Sequence, residues 1–303
     1  MAAETTTLLS NEMMTLYSKV FLKRNEWEQV MEEGAQKQTR SQNEGKSILF
    51  NRYAPLSVAT TPLTEGTNPS EVSLSSSTVT ATLSEYGSAA KISRFLSLTS
   101  VDVRNAEKIA LFGQNMRETL DTLVRDNGLE GGTARLAGGK LLISDVAASD
   151  VISAAEIRKV VRTLEAAYAP TYEDGYFIGK VGPFVKADLL ADSTWINSKV
   201  YSDVKKLYRG EMGELYGVRF LLSKNQKTTT STATVYHNYI HGKDAFGIYD
   251  LEGDQPKLYI TPSSNIDSYN AAGRFSMIAW AGSFVAQALV AGWISILKTG
   301  ATQ

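Results

Sequence analysis

The sequence predicts an α+β fold, a mixed body carrying a long extended arm. Three observations predict it. Residues 47–95 read as two extended limbs joined by a polar tip. Residues 101–127 carry a long helical stripe. Residues 128–260 alternate short apolar runs with glycine-rich turns around one further helix. With 303 residues, 43% of them hydrophobic, the chain can bury a core in one large or two moderate domains.

Residues 8–33 form the first predicted helix. Met13, Tyr17, Val20, Trp27 and Met31 recur at spacings of three and four or their sum, although Arg24 shares the stripe. Glu26, Glu28, Glu32 and Glu33 oppose the helix dipole at its end, so that end should fray. Residues 34–46, rich in Gln, Lys, Gly and Asn, read as a linker.

In the arm, Val79, Ala81 and Leu83 alternate with Thr80, Thr82 and Ser84, which puts one set on each face of a strand. Pro62, Gly66, Asn68 and Pro69 bunch where the turn should be. Fully extended, 76–95 would reach roughly 60 Å at ~3.3 Å per residue. A lone hairpin is marginal in water, so something must cover it. Two readings stand: another copy of the protein covers it, or it is an ordinary hairpin inside a β-rich domain.

Thr99 or Ser100 can cap the helix of 101–127, whose stripe is Ala106, Ile109, Gly113, Met116, Leu120 and Leu123. Gly128 suits a left-handed stop. The rod is on the order of 40 Å long at ~1.5 Å per residue. A second helix is predicted over 150–169, with Ala154, Ile157, Val160, Val161, Leu164 and Tyr168 facing the core and Pro170 ending it. Strands are expected at 176–184, at 215–222 and within 235–260, with an exposed loop at 223–234. Residues 275–297 carry no charge and are long enough to span a bilayer. Gln287, three serines and many small residues favour instead a buried helix followed by a strand near Trp293 to Leu297.

Composition and motifs exclude several chemistries. A net charge of -1 gives no global attraction to nucleic acid. The absence of cysteine removes disulfides, thiolate metal sites and cysteine nucleophiles, and suits folding in a reducing cytoplasm. The first residues lack the basic and apolar blocks of a signal peptide, so none is expected. His237 and His241 are four apart, but Asn238 stands where a zinc protease needs Glu. Gly132 to Lys140 fails as a phosphate loop, because Ala134 replaces the first glycine and Leu141 the Ser or Thr. The acidic groups at 173–174 and 250–254 lack calcium-loop spacing. No catalytic, cofactor-binding or metal residue is assigned, and no cofactor is expected. A membrane-anchored protein held by residues 275–297 and a small-molecule enzyme of unknown class stand as the alternative functions.

Several segments in order resemble one family. They are Thr-Pro-Leu-Thr-Glu-Gly at 61–66, Glu85-Tyr86-Gly87 closing the returning strand, and the long helix. Gly182-Pro183 before Ala187-Asp188-Leu189, Gly210-Glu211-Met212-Gly213 before Gly217-Val218-Arg219-Phe220, His241 to Gly247, and an apolar return with Trp280 and Trp293 follow. From about residue 45 to the end the chain resembles the major capsid proteins of tailed bacteriophages with the Hong Kong 97 (HK-97-like) fold, and the coliphage N-4-type coat proteins in particular.

The resemblance implies an N-terminal arm (1–46), an extended β-hairpin loop (47–95), a peripheral domain with a long spine helix (96–130 and 261–303) and an axial domain (131–260). It implies a virion protein that assembles in the host cytoplasm, through pentamers and hexamers, into an icosahedral shell enclosing double-stranded DNA. Implied partners are copies of itself, a separate scaffold protein, a portal, a decoration protein, and DNA held without sequence-specific binding; no membrane is implied. Tyr17, Trp27, Pro62, Leu63, Glu65 and Glu71 are the expected inter-subunit contacts. Some relatives cross-link a lysine of the extended loop to a neighbour. Here no lysine lies between Arg52 and Lys91, so no such link is expected.

Overall fold

The computed structural model describes residues 29–53, 56–69, 71–99, 105–173, 175–193, 195, 213–266 and 270–302. Most of the predicted first helix, with Tyr17 and Trp27, lies outside them. Its end does not continue as helix: 31–34 form a turn, with Glu33 N–H donating to Val30 O, and Met31 is buried. The expected linker contains a strand, β1 (Gln36–Arg40). Its polar alternation carried no apolar signal, and its order comes from pairing with a distant strand.

The arm begins as a true hairpin. Strands β2 (Ser47–Tyr53) and β3 (Ser76–Thr82) pair antiparallel from Ser47↔Thr82 to Tyr53↔Ser76. The returning limb then changes partner: β4 (Ser84–Ser93) joins the body. A short helix α1 (Arg94–Thr99) leads toward α2 (Asn105–Leu123), the predicted rod. The rod widens into a π turn at Val124–Leu129. Gly128 is buried in that turn, and a Cβ there would lie 3.2 Å from the Phe246 ring. The glycine permits close packing and is no left-handed stop.

After β5 (Thr133–Leu136), helix α3 (Ala154–Ala166) opens at Ser153, whose hydroxyl accepts the Glu156 N–H. Strand β6 (Phe177–Val181) is followed by a helix that periodicity did not single out, α4 (Pro183–Ala191), with proline in its first turn. The pair β7 (Glu214–Leu215) and β8 (Val218–Leu222) turns through Tyr216 and Gly217, both at positive φ, as a two-residue hairpin demands. The expected loop of 223–234 holds a short strand β9 (Thr228–Thr230). Then come β10 (Thr234–His241), β11 (Phe246–Leu251) and β12 (Lys257–Thr261).

The apolar return is two strands, β13 (Phe275–Ala288) and β14 (Ile294–Thr299); no helix precedes them. Burial along β13 alternates, with Ile278, Trp280, Phe284 and Ala286 inward. Alanine-rich sequence favours helix locally, but here the period of two wins, because the strand is paired on both edges. Among the described residues no helix is long and apolar enough to cross a membrane.

Strand β13 centres the first sheet. β4 runs antiparallel along one edge. β11 and β12 share the other edge in tandem, β11 against residues 284–288 and β12 against 277–281. Between them 252–256 loop out opposite Gly282 and Ser283, where Ser283 bonds Asp254. Gly282 allows this, since a Cβ would meet Pro256 at 2.5 Å. β1 adds a parallel edge to β11. Helix α2 covers one face, with Ile109 and Met116 packed on Ile278 and Trp280.

The second sheet has the order β5-β14-β10-β6-β8-β7, with β9 also on β10. Helix α3 lays Ile157, Val160 and Leu164 on Phe177, Ile240 and Leu297. A third cluster joins the sheets through Leu129, Tyr239, Phe246, Phe284, Ala286 and Ile296. Sheet membership thus cuts across sequence order: 246–261 pair with β13, while 294–299 pair with β10.

Candidate interaction surface

The base of the hairpin is anchored and its tip is not. Ile48 and Phe50 point down onto Tyr249, Leu251 and Val285, on the face of the first sheet opposite α2. The Phe50 and Tyr249 rings lie 4.6 Å apart. Arg52, next on the same face, sets its guanidinium 4.4 Å from the Trp293 ring centre. The opposite face stays in solvent, with Leu49, Tyr53 and an Asn51–Thr78 bond of 2.8 Å.

Beyond Tyr53 regular pairing stops. Among the described tip residues the backbone bond is Thr67 N–H to Thr64 O, a turn in which Gly66 has a φ of 81°. Pro62, Leu63, Glu65 and Glu71 all lie on this exposed tip. Leu56, Val58, Leu63, Val72 and Leu74 are exposed as well, Val58 by 84%. The described tip is thus an extended segment outside any sheet, studded with exposed aliphatic side chains, a surface of the kind that partners cover.

A second apolar surface escaped the sequence reading. Phe95 and Leu98 of α1 are 76% and 73% exposed, and with Arg94, Ala272, Gly273, Arg274 and Phe275 they line an open cleft of about 600 Å³. The run Arg-Phe-Leu-Ser-Leu was the available signal, but it looked like the end of the strand.

The two histidines sit on β10 in separate networks. His237 Nδ1 lies 2.6 Å from Glu130 Oε1 and its Nε2 lies 3.0 Å from Thr229 Oγ1. Tyr239 OH donates to the same Glu130 oxygen at 2.7 Å, and Lys227 stands 3.6 Å from the other. Burial works to raise the Glu130 carboxyl, but the bonds from His237 and Tyr239 and the charges of His237 and Lys227 outweigh it and hold it down to about 2. His241 is fully buried, with Nδ1 3.0 Å from Gly242 O. Burial, then the charge of Lys180, keep its ring well below the ordinary histidine range. Among the described residues no group of three or more His, Asp or Glu is placed to hold a metal. Gly132 serves packing, since a Cβ would meet Ile294 at 2.5 Å.

No family model matches the sequence, and neither does any curated protein. Solved structures do match. The capsid of cyanophage P-SCSP1u superposes with a TM-score of 0.68 at 14% identity, over 90% of this chain and 88% of that one. The cyanophage Pam1 capsid gives 0.65 at 16%, over 89% and 90%. The capsid of Ralstonia phage GP4 gives 0.64 at 14%, over 89% and 88%. The mixed α+β architecture is that of phage capsid proteins, the HK-97-like fold.

Proposed function

We propose that this chain is the major capsid protein of a tailed bacteriophage, joining copies of itself through pentamers and hexamers into an icosahedral shell around double-stranded DNA. The observation that carries the reading is the arm. Its base is locked to the body by Ile48, Phe50 and Arg52, while its tip presents exposed aliphatic side chains on a segment outside any sheet. Such an arm suits docking on a neighbour, and the likeness to phage capsids over about nine-tenths of the chain supports that use. Pro62, Leu63, Glu65 and Glu71 are then the contacts, with Tyr17 and Trp27 contributing from the N-terminal arm.

In this reading residues 96–130 and 261–303 are the peripheral domain and 131–260 the axial domain, with two exchanges that strand pairing favours: β11 and β12 go with the sheet on β13, and β14 goes with the sheet on β10. The finer kinship with N-4-type coat proteins rests on the ordered motifs at 61–66, 85–87, 182–189 and 241–247. Packaged DNA meets a protein of near-zero net charge and is not read by sequence. A separate scaffold, a portal and a decoration protein complete the expected partners, in a virion assembled in the host cytoplasm. Negative-stain microscopy of the purified protein tests the proposal: rings, sheets or shells are expected, and monodisperse monomers under all conditions would overturn it.

A further inference from the structure

Residues 29–40 cross the body as a narrow strap, gripped at three places. At the first, the backbone of Met31 is clamped from both sides. Its N–H donates to Asp121 Oδ1 at 2.8 Å, and its carbonyl accepts from Lys180 Nζ at 2.7 Å. Asp121 comes from α2 and is itself held by Asn225, whose Nδ2 donates to Oδ2 at 2.8 Å. Lys180 comes from the middle of β6 and is wholly buried, its amine 4.8 Å from the Phe246 ring centre.

The second grip is at Gly34, where the chain bends at a φ of 80°. The Tyr172 hydroxyl lies 2.9 Å from Gly34 O and 3.3 Å from His241 Nδ1. A Cβ on Gly34 would run into that hydroxyl, the His241 ring and Ile178. The third grip is the parallel pairing of β1 with β11. β1 is an edge strand with its central residues exposed. Beyond it, 41–47 are exposed, and Asn43 and Gly45 at positive φ supply a hinge.

We propose that residues 29–40 form a strap that detaches from the body as a unit, and that its release is coupled to proton uptake by Lys180. The clamp has no role in the hairpin contact proposed above and stands without it. Detachment would remove Met31 from between Asp121 and Lys180, let water reach the amine, and bare the edge of β11. The charged or titratable groups around the clamp are Asp121 from α2, Glu32, Glu33 and Lys37 from the strap, His241 from β10, and Tyr172 from the segment after α3, while β11 packs the apolar ring of Phe246 on the amine.

Burial dominates and brings Lys180 down to about 7, against the opposing pull of Asp121, Glu33 and Glu32. Burial likewise raises Asp121, against its bonds from Asn225 and Met31. Release returns Lys180 toward its ordinary 10.5. Between those values the free strap binds the extra proton, so docking strengthens as pH rises from about 7 and is flat with respect to Lys180 below it. His241 titrates below this window and Tyr172, raised by burial, above it.

Amide hydrogen exchange on the full chain from about pH 6 to 9, corrected for intrinsic rates, tests the strap. Strap amides should exchange by an opening separate from that of β10 and β14. Their protection should climb by up to about tenfold per pH unit above about 7 and stay level below it. Lys180→Met should abolish the climb. Should that variant not fold, Gly34→Ala keeps the test alive, with strap protection falling by about tenfold or more and core protection unchanged. Exchange of strap and core together, protection level from about pH 7 to 9, or a Gly34→Ala loss spread evenly over the core would each overturn the proposal.

Discussion

Glu130 ends the π turn and ties it to β10 through His237 and Tyr239. Its folded value of about 2 lies below its ordinary 4.5. Its contribution to stability is therefore full above about pH 4.5 and is lost as pH falls through about 2. Glu130→Gln should destabilise the fold by about 2 kcal/mol at neutral pH, a gap that closes toward about pH 2. Denaturant unfolding at several pH values checks this, and a gap independent of pH would contradict it. The sequence did not show this site. The partner of His237 is 107 residues away, so the sequence offered only its spacing from His241 and the failed zinc-protease pattern. Gly128 is a similar case: its sequence position fits a helix stop, but its use is contact with Phe246, which no local pattern reveals.

At the scale of elements, β13 holds the first sheet together. Trp280 is buried on α2 and donates its Nε1–H to Asn115 Oδ1 at 3.0 Å. Trp280→Ala should cost about 3–5 kcal/mol, and Trp280→Phe about 1 kcal/mol through the lost bond, both read by denaturant unfolding. Ala286 is buried where the two sheets meet, so Ala286→Arg should abolish soluble expression; a soluble, normally folded variant would contradict its placement. Helices α2 and α3 were legible because their stripes are long and their apolar side chains large, but Tyr168, expected on the core face of α3, lies beyond the helix end at positive φ and is exposed. The segment 275–288 was not, because alanine and glycine fit either period and only pairing with β4, β11 and β12 decides. Strand β1 was hidden for the opposite reason: Gln-Lys-Gln-Thr-Arg has no apolar face, and β11 supplies its order. The arm was legible down to its limbs, but not the switch at Leu83 from hairpin to sheet, since both segments alternate alike.

The molecule as a whole carries an arm anchored at its base and exposed at its tip. With no lysine between Arg52 and Lys91, assembled particles boiled in detergent should run as single chains, and a ladder of multimers would contradict this. Glu65 is exposed on a tip whose charges, Glu65 and Glu71, are both negative. Glu65→Lys should leave the fold intact by circular dichroism and slow assembly by about an order of magnitude at low salt. High salt should narrow that gap by screening. Pro62, Leu63, Glu65 and Glu71 are exposed on the tip, which leaves them open to the proposed contact; a receiving surface on a neighbour is not part of a single chain. The most direct test replaces residues 56–74 with a Gly-Ser linker of equal length and follows light scattering under assembly conditions. The variant should fold, with the base still held by Ile48 and Phe50, and form no shells; shells appearing at the wild-type rate would contradict docking through the arm.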